Sequence, residues 1–180
     1  MKAIFIRLSI LLVSVFLAAC ESQPVYEEPP RIDLVGISNI AAATLHSKAS
    51  DLLPEGSTIL STSLADIDSL SATSTLGRIL SEQLSSRLSD RGYELIEIKM
   101  RNSVFISNER GGEFTLSRQL AAISKDYNAD AILTGTYALG SQTVYINARL
   151  IDTVDNIVLS TVDFQLPIDS DIRMMTKKSY

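Results

Sequence analysis

Among its 180 residues the chain holds one cysteine, Cys20, and one histidine, His46. A serine or cysteine nucleophile needs a base, itself oriented by a third group. His46 is the only imidazole available, and the surroundings of Cys20 give its thiol a different use. The cysteine follows Leu17-Ala18-Ala19, a small-residue exit, behind a basic start at Lys2 and Arg7 and a largely apolar run from Leu8 to Phe16. That order is a secretory leader, and Leu17-Ala18-Ala19-Cys20 matches the bacterial lipobox. A thiol is nucleophilic enough to take a diacylglyceryl group, and small neighbours let a peptidase reach the bond before it. The sequence therefore predicts that residues 1–19 are removed and that Cys20 carries a covalent lipid as the new first residue, with no other cofactor. No second cysteine exists to form a disulfide.

The other residue types offer less. Asp66 with Asp68, Glu109 with Glu113, and Asp152 with Asp155 are the best carboxylate pairs for acid/base work, but each lies in or beside a predicted turn, where carboxylates are solvated or bond the local backbone. Zinc needs Cys or His ligands at fixed spacing, which the chain lacks, and Asp152 to Asn156 is too short for a calcium loop. Gly111-Gly112 has no lysine after it and reads as a turn rather than a phosphate cradle. No enzyme activity is expected.

The leader's apolar run is shorter than the roughly 20 residues of a resident span, so the acyl chains would hold the protein at the membrane. Each buried methylene contributes about 0.8 kcal/mol, and two or three chains bind firmly where one does not. Glu21-Ser22 follow the cysteine without an aspartate directly after it, which points to delivery to the outer membrane, on its periplasmic face. The formal net charge is −5, and cleavage of the leader takes Lys2 and Arg7 with it. So acidic a domain is unsuited to nucleic acid, which demands a cationic surface.

The elements that must position these residues follow from spacing. Residues 20–33, with Pro24, Pro29 and Pro30, read as an extended tether. Residues 34–56 form a helical segment in which Leu34, Ile37, Ala41, Leu45, Ala49 and Leu52 recur at helical spacing to Leu53, ahead of Pro54-Glu55-Gly56. Residues 57–167 alternate. A strand over Thr58–Ala65 leads to a helix striped by Leu76, Ile79, Leu80, Leu84 and Leu88, and then to a strand over Tyr93–Lys99, which makes a βαβ unit with a right-handed parallel crossover. A short strand near Val104–Ile106 and a glycine turn precede a second crossover helix from about Thr115, with stripe Leu116, Leu120, Ile123 and Tyr127. A strand at Ala131–Tyr137 opens an antiparallel meander through Thr143–Ile151 and Ile157–Leu166. Val144, Ile146, Ala148 and Leu150 make the apolar face of its middle strand; Tyr145, Asn147 and Arg149 face solvent or a partner. Residues 168–180 read as a polar, fraying tail. The expected fold is α/β, a single domain with a mixed sheet.

Several stretches occur in a familiar order behind the lipobox: Gly112-Glu113-Phe114-Thr115-Leu116-Ser117-Arg118, then Gly135-Thr136-Tyr137, then Asn147-Ala148-Arg149-Leu150-Ile151-Asp152. With Leu76 to Leu84 and Arg91-Gly92-Tyr93, they resemble the FlgO family of outer-membrane lipoproteins over about residues 57–166. The resemblance implies a noncatalytic component linked to flagellar motility, with protein partners in the flagellar envelope rings and oligomeric state open. The layout is also similar to lipoproteins of curli secretion and to lipoprotein activators of cell-wall synthases, so a regulator acting by protein contact stays as the alternative. Replacing the thiol tests the lipid anchor directly: Cys20→Ser is expected to abolish lipidation and leave unprocessed precursor, read by acyl labelling and membrane fractionation.

Overall fold

A computed structural model describes residues 32–98, 105–107, 114–116 and 118–177 of the chain. The lipobox residues Leu17, Ala18, Ala19 and Cys20, with the leader and most of the tether, lie outside the described residues.

Helix α1, Leu34–Ala49, starts where the Asp33 carboxylate accepts from Gly36 N. It buries Leu45 among Ala41, Ala42 and Ala49, and the three alanines let the helix sit close. It ends four residues sooner than the spacing predicts. Ser50 N and Leu53 N bond back to His46 O and Ala49 O in a closing turn, which leaves Leu52 65% exposed and buries Leu53 instead.

Strand β1, Thr58–Thr62, and the two-residue β2, Ala65–Asp66, replace the single strand expected to Ala65. The break has a physical cause: Leu64 N leaves the ladder to bond Gly77 O at 3.2 Å. Helix α2, Thr75–Ser89, capped by Ser74, buries Leu76, Leu80, Leu84 and Leu88 as the periodicity predicts. Gly92, at φ +91°, turns the chain into β3, Glu94–Ile98. β1 and β3 pair in parallel, Thr58 with Glu94 through Thr62 with Ile98, which supplies the expected βαβ unit.

The next segment departs from expectation. Phe114–Leu116 is a strand, β5, paired antiparallel with β4, Phe105–Ser107, in a separate two-stranded sheet. Helix α3 begins only at Arg118 and runs to Asp126, so Leu116 is no part of it and Tyr127 lies beyond it, exposed. Leu116 and Leu120 stand four apart, as two helical residues would, but the aromatic and β-branched types of Phe114-Thr115 favour a ladder.

Strands β6 (Ala131–Leu139), β7 (Thr143–Asp152) and β8 (Val158–Pro167) form the meander. The six-stranded sheet runs β3-β1-β6-β7-β8, with β2 against β6. It is mixed: β6 is parallel to β1 and β2 and antiparallel to β7. Neighbouring strand residues point to opposite faces. Ile59, Leu133, Ala148 and Leu150 pack with α1 and α2, while Leu60, Ile132 and Ile151 pack with Leu120 and Ile123 of α3 on the other face. A third cluster joins Leu64, Leu76, Tyr137, Val144, Ile146 and Leu166 to Ile172.

Ile172 belongs to α4, Ser170–Met175, in the stretch expected to fray. Ile172, 1% exposed, Met175 packed against the same cluster, and an Asp169 cap bonding Ile172 N at 2.8 Å hold it down. The Gly135 position is more demanding, because a Cβ there would collide with the Asn147 carbonyl oxygen and meet Ala148 Cα at 3.0 Å. Gly135→Ala is expected to cost about 3 kcal/mol by overpacking, and Asp169→Ala about 1 kcal/mol by loss of a cap; urea midpoints with unchanged slopes would show both.

Candidate functional site

The residues that could have done catalytic chemistry are engaged in local structure. His46 Nδ1 lies 3.1 Å from Tyr93 Oη, and the rings meet edge to face at 5.6 Å. Tyr93 Oη donates to Leu53 O at 3.1 Å, so the imidazole is the donor to the phenol. The trio fastens the end of α1 to the start of β3. Asp152 Oδ1 accepts from Val154 N at 2.8 Å and Asp155 N at 2.7 Å, closing the β7–β8 turn, where Asn156 takes φ 58°. Asp66 Oδ1 accepts from Asp68 N at 3.0 Å. Glu109 and Glu113 fall outside the described residues. Among the described residues no group of three or more His, Cys, Asp or Glu side chains could hold a metal ion, and no helix is long and apolar enough to cross a membrane.

The motif residues fare differently. Gly112, Glu113 and Ser117 lie outside the described residues; Phe114 and Leu116 fall on β5, and Arg118 opens α3. The other two motifs come together as register partners. Gly135 stands opposite Ala148, and Thr136 opposite Asn147, with Thr134 opposite Arg149. The backbones can approach this closely because residue 135 has no side chain.

Asn147 organises the polar face. Its amide donates to Asp163 Oδ1 at 2.5 Å and Thr161 Oγ1 at 3.2 Å, both on β8. Its carbonyl oxygen accepts from Arg149 Nε at 2.8 Å and also from Arg149 Nη2. One amide thus orients a cation and a carboxylate side by side, leaving guanidinium donors and a carboxylate oxygen for a ligand. Beside them runs a groove of about 450 Å³ lined by Ile67, Thr136, Ala138, Tyr145, Asn147 and Gln165. Tyr145 is 56% exposed at its rim. Asp163 and Gln165 escaped the sequence reading; their place beside Asn147 needs the β7–β8 register, which spacing alone leaves undefined.

Tyr137 faces the other way, into the core. Gly77 of α2 packs against its ring, where a Cβ would come within 3.0 Å of Tyr137 Cε1 and would collide with Leu64 O. Burial raises the phenol's pKa above its ordinary value and Asp66 raises it further, while a hydrogen bond with Ser74 and the nearby Arg78 lower it. Tyr93 is raised as well, by burial and then by Glu55.

With this arrangement in view, comparison with known proteins settles the family: the FlgO protein family model matches residues 39–171. The chain belongs to the FlgO family. A search of curated protein sequences finds no match. Among solved structures, the fold is similar to the LpoB C-terminal domain from Salmonella enterica, with a TM-score of 0.54 at 13% identity over 75% of this chain and 98% of that one. The LpoB C-terminal domain from Escherichia coli scores 0.47 at 15% identity, covering 72% and 97% of the two chains. A dodecamer of a PelC variant from Paraburkholderia phytofirmans scores 0.46 at 13%, covering 71% and 84%. At these identities the Salmonella likeness concerns the fold alone. The FlgO match takes in most of α1 and reaches into α4, both beyond the span the motifs cover.

The two tyrosines set an alkaline limit on this FlgO-family domain. A phenol whose folded pKa is raised binds more protons folded than unfolded once pH exceeds about 10, so its stabilisation is complete below that and is lost as pH rises through the folded value. Unfolding free energy is expected to fall above pH 10, and to fall less steeply in Tyr137→Phe, as measured by denaturant titration at stepped pH.

Proposed function

We propose that this FlgO-family chain is a noncatalytic outer-membrane lipoprotein, moored through Cys20, that acts by protein contact as an assembly component associated with the flagellum and motility. The observation that carries the proposal is the family match over residues 39–171. The geometry supports a contact role: His46, Asp66 and Asp152 are engaged in fold-building bonds, whereas Arg149 and Asp163 are held in register on an outward polar face by Asn147. An oriented cation and carboxylate over an open groove suit recognition of a protein surface, where charged groups set register and partner choice.

A periplasmic regulator that activates a cell-wall synthase by contact is the second reading. Its support is the fold shared with the LpoB C-terminal domain, and fold alone does not select a function. The sequence favours the first: a proline-containing tether over residues 21–31, extending about 3.1 Å per residue as polyproline, would keep the domain near its membrane.

A clean deletion is expected to reduce swimming and flagellar integrity. Restoring the wild-type protein should rescue both, while Arg149→Glu, present at equal level in the membrane, should not. Normal swimming and intact flagella in the deletion strain, with a synthase co-purifying with the lipoprotein, would move the assignment to the regulator.

A further inference from the structure

β8 ends the six-stranded sheet, and no described strand pairs with its outer side. Two hydrogen bonds fix which of its residues look outward. Ile168 N donates to Gln142 O at 2.9 Å, continuing a register in which even-numbered residues exchange bonds with β7. From the opposite side, Lys48 Nζ of α1 donates to Thr161 O at 2.9 Å. The free edge is therefore made by the backbone groups of Thr161, Asp163, Gln165 and Pro167. Two of those groups need nothing from outside: the Thr161 carbonyl has Lys48 as donor, and Pro167 has no N–H. A groove of about 480 Å³ follows this edge, walled by Ile37, Ile40, Thr44 and Lys48 of α1 and by Thr161 to Phe164. Ile40 is 68% exposed.

We propose that this edge pairs antiparallel with the same edge of a second copy, with Phe164 on the two-fold axis. The register follows from complementarity. Centred on Phe164, Asp163 of each copy lies opposite Gln165 of the other, so an amide meets a carboxylate whose other oxygen is already taken by Asn147. Thr161 then lies opposite Pro167. The Thr161 N–H finds the proline carbonyl, and the one missing donor falls where Lys48 has made a donor unnecessary. Centring on Asp163 would set two carboxylates face to face, an unfavourable cross-strand pair. Centring on Val162 would put Gln165 opposite Leu159, the residue β8 leaves unpaired at its irregularity. In the chosen register the two Phe164 rings meet across a close, non-hydrogen-bonded pair, and the exposed α1 residues beside the groove face their counterparts over the seam. A strand edge with unpaired N–H and C=O groups is a template for pairing, and in this register its donors and acceptors complement themselves.

The test uses the purified lipidated protein in mild detergent. Sedimentation equilibrium in density-matched buffer is expected to show a dimer. Gln165→Pro, which removes an outward N–H and leaves the bonds to β7 intact, should give a monomer with an unchanged circular dichroism spectrum. Register is read by mixing Asp163→Cys and Gln165→Cys proteins under mild oxidation. The mixture should form disulfides between the two variants, since directly opposed strand residues lie within the Cα window of about 4.4–6.8 Å, while Asp163→Cys alone should form few. A monomeric wild-type protein, or an Asp163→Cys protein that cross-links with itself in preference to Gln165→Cys, overturns the proposal; the cysteine experiment decides even if Gln165→Pro fails to fold.

Discussion

The fold turns on what β6 has to accommodate. Its residues Ala131 to Tyr137 are all buried, and it takes parallel neighbours on one side and an antiparallel one on the other. Parallel strands need a crossover connection, whereas antiparallel ones need only a turn. A chain that builds both against one strand pairs it with distant segments on one side and with its sequence neighbour on the other. At residue 135 the antiparallel partner comes so close that only glycine fits, and two residues on, Tyr137 reaches the opposite layer to meet Gly77. A single strand thus fixes the position of α2 on one face and of the Asn147 network on the other.

That network and the fold-building bonds divide the polar residues between them. His46 and Tyr93 tie α1 to the sheet, Asp152 shapes a turn, and Asp169 caps α4. Asn147, by contrast, orients an arginine on its own strand and an aspartate on the next. The family match spans both kinds of residue.

Much of this was legible in the sequence where periodicity was strong and burial one-sided. Leu76, Leu80, Leu84 and Leu88 announce α2, and the alternation at Val144, Ile146, Ala148 and Leu150 fixes which face of β7 is buried. Legibility failed where short-range spacing imitates a helix or where a distant partner decides. Leu116 and Leu120 stand four apart by coincidence, and what holds Phe114–Leu116 is its pairing with Phe105–Ser107. Leu52 matches the α1 stripe, but the chain turns before reaching it. The break between β1 and β2 answers to a carbonyl on a helix thirteen residues away, and α4 is docked by Ile172 and Met175, which composition cannot single out. The same limit hid Asp163, whose significance depends on strand register rather than on any local motif.

The Asp169 carboxylate has two jobs: one oxygen caps α4, and the other accepts from Ile32 N at 3.5 Å, just ahead of α1. The first and last described helices are therefore latched at a common point, close to where a pull on the chain ahead of residue 32 would arrive. Mechanical load reaching Ile32 would test that long, weak bond before it tested any strand ladder. The latch could then give way and release α4 while α1 resists through broad side-on contact.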